Sequence, residues 1–178
     1  MQLLNRVGIF PLSGYSPLCR MRHKGDHYSC PYALAWLITV QQRPQCKFWY
    51  YTRSFLEPQL LEVLSELASQ SNCQGFLSLD TENFEQGLEA YARYPGVWKL
   101  ALLQQEQSEL ATDLMPALKQ VRNGQIINFP YHRAGYHVEP IKARVLTHCP
   151  QITTDAYPLQ RSRSALKPCQ ACTLCLPG

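Results

Sequence analysis

The sequence predicts an α/β domain: about five mostly parallel strands alternating with four helices, as a partial β/α barrel or an open sheet, then an irregular C-terminal metal-binding wrap. Three observations lead there. Short apolar, β-branched or aromatic runs alternate with longer segments of helical periodicity, the pattern of βαβ units. The alternation ends after Phe129, and the remainder is rich in Pro, His, Arg and Cys. Four of the eight cysteines lie in that remainder.

After an irregular start from Gly8 to Pro17, the strand candidates are Leu18–His23, Lys47–Thr52, Gln74–Leu79, Trp98–Leu103 and Gln125–Phe129. Most are short and carry little charge, as strands covered on both faces should. Helix candidates fall at Pro31–Gln42, Pro58–Gln70, Asn83–Arg93 and Ser108–Val121. In the second, Leu60, Leu61, Val63, Leu64 and Leu67 make one apolar face, with Glu57 and Pro58 at the entry, where a helix N-terminus favours them. Pro116 inside the fourth should kink it or split it. Right-handed crossovers between these units give a mostly parallel sheet. An eight-unit barrel needs around 250 residues, so a partial barrel is the largest version that fits. The expectation is one domain, with a β/α core over 1–129 and a cysteine-containing extension over 130–178.

Composition narrows the function classes. A chain of 178 residues with 46% hydrophobic content can bury a core without disulfide support. A net charge of +4 with 17% charged residues does not by itself mark a nucleic-acid binder. No stretch approaches the roughly 18 unbroken apolar residues that span a bilayer, and Met1 to Arg6 lacks the parts of a signal peptide. The expected setting is therefore cytoplasmic, away from membranes. In a reducing compartment, cysteines point to metal or redox roles before disulfides. Cys19, Cys30, Cys46 and Cys73 are scattered singly, as small buried hydrophobes are.

Cys169-Gln170-Ala171-Cys172-Thr173-Leu174-Cys175 is different, because it places three thiols at x-x spacing on one short loop. In a [4Fe–4S] cluster each iron takes one thiolate, so such a loop serves three corners and a remote cysteine the fourth. Cys149, in a Cys-Pro step of the kind bacterial ferredoxins use, is the natural remote ligand. Arg161, Arg163 and Lys167 lie near enough in sequence to offset the cluster's charge. The competing readings are a four-cysteine zinc site, which more often uses two separated pairs, and a tail that holds no metal.

Ligands of parallel sheets bind beyond the carboxyl ends of strands. His23 and Asp26 follow the first strand candidate, Thr52, Arg53 and Ser54 the second, Ser78 and Asp80 the third, and His132 follows the fifth. Asp26 and Asp80 are suited to accept from Arg53, whose planar fork matches a carboxylate or phosphate. Plainer roles compete. Ser54 and Asp80 suit helix starts, and Asp26 beside Gly25 suits a turn. His23 and His132 suit buried structural positions, and Arg53 an internal ion pair. No P-loop, dinucleotide fingerprint, nucleophile elbow or His-Glu-x-x-His motif is present.

Several blocks together resemble the gene product 88 family, known from bacteriophages and bacteria. Val7-Gly8-Ile9-Phe10 with Gly14-Tyr15 is similar to the family's opening. Arg22-His23-Lys24-Gly25-Asp26 resembles its "R-x-H-x-S-G-D" strand end, with the His one position closer to the Gly and Lys24 in place of a small Ser. Phe48-Trp49-Tyr50-Tyr51-Thr52-Arg53-Ser54 resembles "F-W-A-Y-T-R-S", Leu77-Ser78-Leu79-Asp80 resembles "L-S-L-D", and the Cys149 to Cys175 pattern completes the likeness. The resemblance implies a radical-SAM-like β/α scaffold. Fuller members carry a cysteine-rich loop near the opening, whereas here Tyr15-Ser16-Pro17 runs straight into Leu18-Cys19. Cys19 and Cys30 cannot supply the three close cysteines that a radical-SAM cluster needs.

The expected function is thus an iron–sulfur accessory or electron-transfer protein without autonomous cleavage of S-adenosylmethionine, with a protein partner supplying redox chemistry or missing barrel elements. One alternative is an enzyme binding a small anionic substrate or nucleotide at the strand ends. Another is a structural zinc protein, or a single-stranded nucleic-acid binder using Trp49, Tyr50 and Tyr51 if they are exposed.

Overall fold

The computed structural model describes residues 18–21, 26–104, 118, 121, 126–130, 132–133, 136–137, 146–149 and 172–178, with backbone only at 132–133 and 136–137. Six strands form one parallel sheet: β1 (Leu18–Arg20), β2 (Lys47–Thr52), β3 (Cys73–Leu79), β4 (Trp98–Gln104), β5 (Ile126–Pro130) and β8 (Leu146–His148). They lie side by side in chain order, and the edge strands β1 and β8 do not pair, so the sheet is open rather than a closed barrel. Between β5 and β8, β6 (His132–Arg133) and β7 (Tyr136–His137) make a small antiparallel hairpin.

Three helices alternate with the first strands: α1 (Cys30–Gln41), α2 (Pro58–Ala68) and α3 (Phe84–Arg93). Each expected helix is found within a few residues of its predicted bounds, except the fourth. Of the span Ser108–Val121 only Leu118, which is helical, and Val121 are described. The expectation that regular alternation ends at Phe129 is corrected by β8, which extends the sheet beyond it. Leu146-Thr147-His148 is too short and too polar to stand out as a strand. It forms because β5 offers it a free edge.

Crossovers of one hand between strands taken in order carry the described helices to the same side. The strand residues facing that side, including Cys19, Phe48, Tyr50, Leu77, Trp98, Leu100 and Ile126, pack with Leu37, Leu60, Leu64 and Leu67 of the helices into the main core. Within it, Tyr50 Oη donates to the Leu64 carbonyl at 2.7 Å, and Trp98 Nε1 to Ser65 Oγ at 3.2 Å. Gly75 permits the close packing of α2 on β3, because a Cβ there would sit 2.5 Å from Trp98 Cζ3 and 2.8 Å from Ala68 Cβ. Asn72 closes the loop between α1 and β2 by donating to the carbonyls of Val40, Arg43 and Cys46.

The opposite side carries no described helix. There Tyr51, Phe76, Ala101, Ile127 and Phe129 form a second, smaller cluster, against which Cys149, Leu174 and Cys175 pack. No described helix is long and apolar enough to cross a membrane.

Candidate functional site

Strand alternation decides what the open face displays. In β2, Phe48, Tyr50 and Thr52 point toward the helices, which leaves Trp49 and Tyr51 for the other side. Tyr51 stacks on Phe76 with ring centroids 4.9 Å apart and meets Phe129 edge-on at 5.7 Å. Its hydroxyl donates to Cys175 Sγ at 2.9 Å. Cys149 directly follows β8, and its amide donates to the Asn128 carbonyl at 3.0 Å, which fixes the backbone where it leaves the sheet.

The tail reaches the same place by a tight turn. Thr173 has φ 56°, in the left-handed region, and Leu176 N donates to the Thr173 carbonyl at 2.9 Å. For a β-branched residue that conformation costs about 1–2 kcal/mol, and such outliers cluster at functional sites. The turn presents Leu174 and Cys175 to the sheet. Lys47 Nζ then anchors the chain end by donating to the Pro177 carbonyl at 3.0 Å.

Two cations border this patch. The Arg20 guanidinium lies 5.1 Å from the Tyr51 ring centroid, and Lys99 Nζ lies 6.0 Å from that of Phe76. Burial pushes the Lys99 ammonium below its ordinary range, and the Cys175 sulfur opposes that shift. Burial, then the charge and hydrogen bonding of Cys175, push the Tyr51 phenol far upward. It remains protonated and a donor.

Of the four expected ligands, Cys149 and Cys175 share this cluster, Cys172 is half-buried earlier in the turn, and Cys169 lies outside the described residues. Among the described residues no three His, Cys, Asp or Glu side chains are grouped closely enough to hold a metal ion. The donor chemistry nonetheless suits a thiolate-ligated centre: two sulfurs from remote stretches, an apolar floor and cations at the border. Arg161, Arg163 and Lys167 lie outside the described residues.

The strand-end residues form a separate network at the carboxyl ends of β1 to β3. Thr52 Oγ1 donates to Asp26 Oδ1 at 2.7 Å, and the Arg53 amide donates to the other Asp26 oxygen. Burial opposes ionisation of Asp26, but the His27 ring, the Thr52 hydroxyl and the amides of Arg53 and His27 outweigh it. They lower the carboxyl from its ordinary value of 3.8 to about 2. The Arg53 guanidinium pairs with Asp80 and lies 3.7 Å from Glu82. Ser54 Oγ donates to the His27 carbonyl at 2.6 Å, and Asp80 Oδ1 accepts from the Glu82 amide at 3.1 Å.

Asp26, Thr52, Arg53, Ser54 and Asp80 are thus brought together, largely by satisfying one another. Ser78 joins through its carbonyl, which accepts from Asn83 Nδ2 at 3.3 Å. His23 and the side chain of His132 lie outside the described residues. Sequence reasoning missed His27, which is buried with its Nδ1 3.6 Å from Asp26 Oδ1, and Asn83, whose Oδ1 accepts from the Asp80 amide. It also missed Arg20, Tyr51 and Lys99 as neighbours of the cysteines, though strand alternation carries the signal for all three.

Three of the four scattered cysteines are buried as expected, while Cys30, at the start of α1, is half-buried. Cys19, Cys46 and Cys73 are buried on the helix side, and burial followed by the nearby Cys46 pushes Cys19 up to about 11. Of the three aromatics considered for nucleic-acid stacking, Trp49 and Tyr50 are buried and Tyr51 is half-buried.

Among the described residues, an open parallel sheet carries its helices on one side and Cys149 and Cys175 on the other, which defines an α/β protein of the open-sheet class. The model of the Gene product 88 family matches residues 11–176, and the chain belongs to that family. No curated protein and no solved structure matches it.

Proposed function

We propose that this chain is an iron–sulfur protein in which Cys149, Cys169, Cys172 and Cys175 hold a [4Fe–4S] cluster against the open face of a radical-SAM-like partial barrel. One observation carries the reading: Cys149, from the end of β8, and Cys175, from the terminal turn, pack on the same apolar cluster beside Tyr51. A cluster in such a place supplies one-electron transfer, and its thiolates are balanced by Lys99 and Arg20.

The role is accessory or electron-transferring, in a reducing cytoplasmic setting, rather than autonomous cleavage of S-adenosylmethionine. Cys19, Cys46 and Cys73 support this, because they face the helices and are buried away from the open side. The strand-end network supports it too, because its carboxylates and Arg53 are already matched to each other.

The test is oxygen-free purification followed by visible absorption and electron paramagnetic resonance before and after reduction. The expected result is a broad absorption near the visible blue that bleaches on reduction. A colourless protein with stoichiometric zinc would replace the cluster by a structural zinc site.

A further inference from the structure

We propose that Tyr51 and Lys99 are positioning residues for this sulfur centre: the Tyr51 phenol holds the Cys175 sulfur by a hydrogen bond, and Lys99 supplies the nearby positive charge. The inference rests on the metal reading above and goes beyond it by naming the supporting residues. Tyr51 has one hydroxyl proton to donate, and it gives that proton to sulfur, 2.9 Å away. A neutral thiol is a weak acceptor, so the bond is well used only if the sulfur carries charge as a thiolate or metal ligand.

The ring cannot swing away, because it is stacked on Phe76 and held edge-on by Phe129. Lys99 stands on the neighbouring side of the same aromatic row, with its ammonium over Phe76. No described salt bridge pairs it with a carboxylate. A half-buried cation is costly without an opposite charge, and Cys175 packs against the same cluster as the Phe76 ring that the ammonium overlies. Residues that orient metal-bound sulfur in this way change metal affinity by about 10–100-fold when removed.

The experiment compares the full chain with Tyr51→Phe, Lys99→Met and Lys99→Arg, each purified without oxygen. Bound metal, thermal unfolding and the rate of metal loss to a chelator are measured, and for bound iron the midpoint potential as well. Tyr51→Phe keeps the aromatic stack, so unfolding should change little while metal loss accelerates roughly tenfold. Both Tyr51→Phe and Lys99→Met should make the reduced cluster harder to reach, shifting the potential downward, and Lys99→Arg should restore wild-type behaviour. Wild-type loss rates in Tyr51→Phe and Lys99→Met overturn this inference and leave the metal reading standing. A wild-type chain that holds no metal overturns both.

Discussion

The two faces of the sheet are built from the same strands yet solve different problems. On the helix side, Phe48, Tyr50, Trp98 and Leu100 disappear beneath α1, α2 and α3, and even the hydroxyls and the indole N–H are paired internally. On the open side, Phe76, Ala101 and Ile127, with Tyr51 and Phe129 beside them, floor a patch where thiols, a phenol and cations gather. One face spends its residues on stability, and the other keeps sulfur and charge side by side at a stability cost. The difference teaches that a cysteine's face, more than its number in the chain, separates structural thiols from candidate ligands.

Substitutions should separate the faces cleanly. The largest effect belongs to the open side: Cys175→Ala or Cys149→Ala should abolish stoichiometric metal, read by elemental analysis. The core counterpart is Leu64→Ala, which should cost ~2–5 kcal/mol in denaturant unfolding while leaving the metal content of the folded protein unchanged. Leu64 is fully buried, and its own carbonyl accepts from the Tyr50 hydroxyl. Metal loss in folded Leu64→Ala would break the division.

Asp26 tests whether the strand-end network is structural. Its carboxyl is lowered in the fold, so its contribution is complete above the ordinary value of 3.8 and disappears as pH falls through about 2. Asp26→Asn should therefore lose about 2 kcal/mol at neutral pH, with the gap to wild type closing across that window. A smaller effect, about 1 kcal/mol, is expected for Ser65→Ala, which removes the acceptor of the Trp98 indole. Chemical denaturation of both variants provides the measurement.

Much of the sheet was legible because its strands are short apolar runs bounded by helices with clear starts. β2 runs over Lys47–Thr52 as its aromatic and β-branched residues suggest, and α2 begins at Pro58 where a helix favours proline. β8 was illegible, since its three residues acquire strand geometry only from pairing with β5. The spacing of the tail cysteines was legible. The surroundings of Cys149 and Cys175 were not, because Arg20, Tyr51 and Lys99 come from three different strands and meet only through register. The strand-end polar residues were legible as a group, but their mutual satisfaction was not: Arg53 is drawn to Asp80 by a turn that Asn83 and Glu82 hold in place.

The most direct test of the sulfur-bearing face is iron and acid-labile sulfide per chain after oxygen-free isolation, measured beside Cys149→Ala. The account predicts about four iron and four sulfide in the wild type, with the full complement lost in the variant. Equal metal in both proteins, or a wild type holding neither iron nor sulfide, would contradict it.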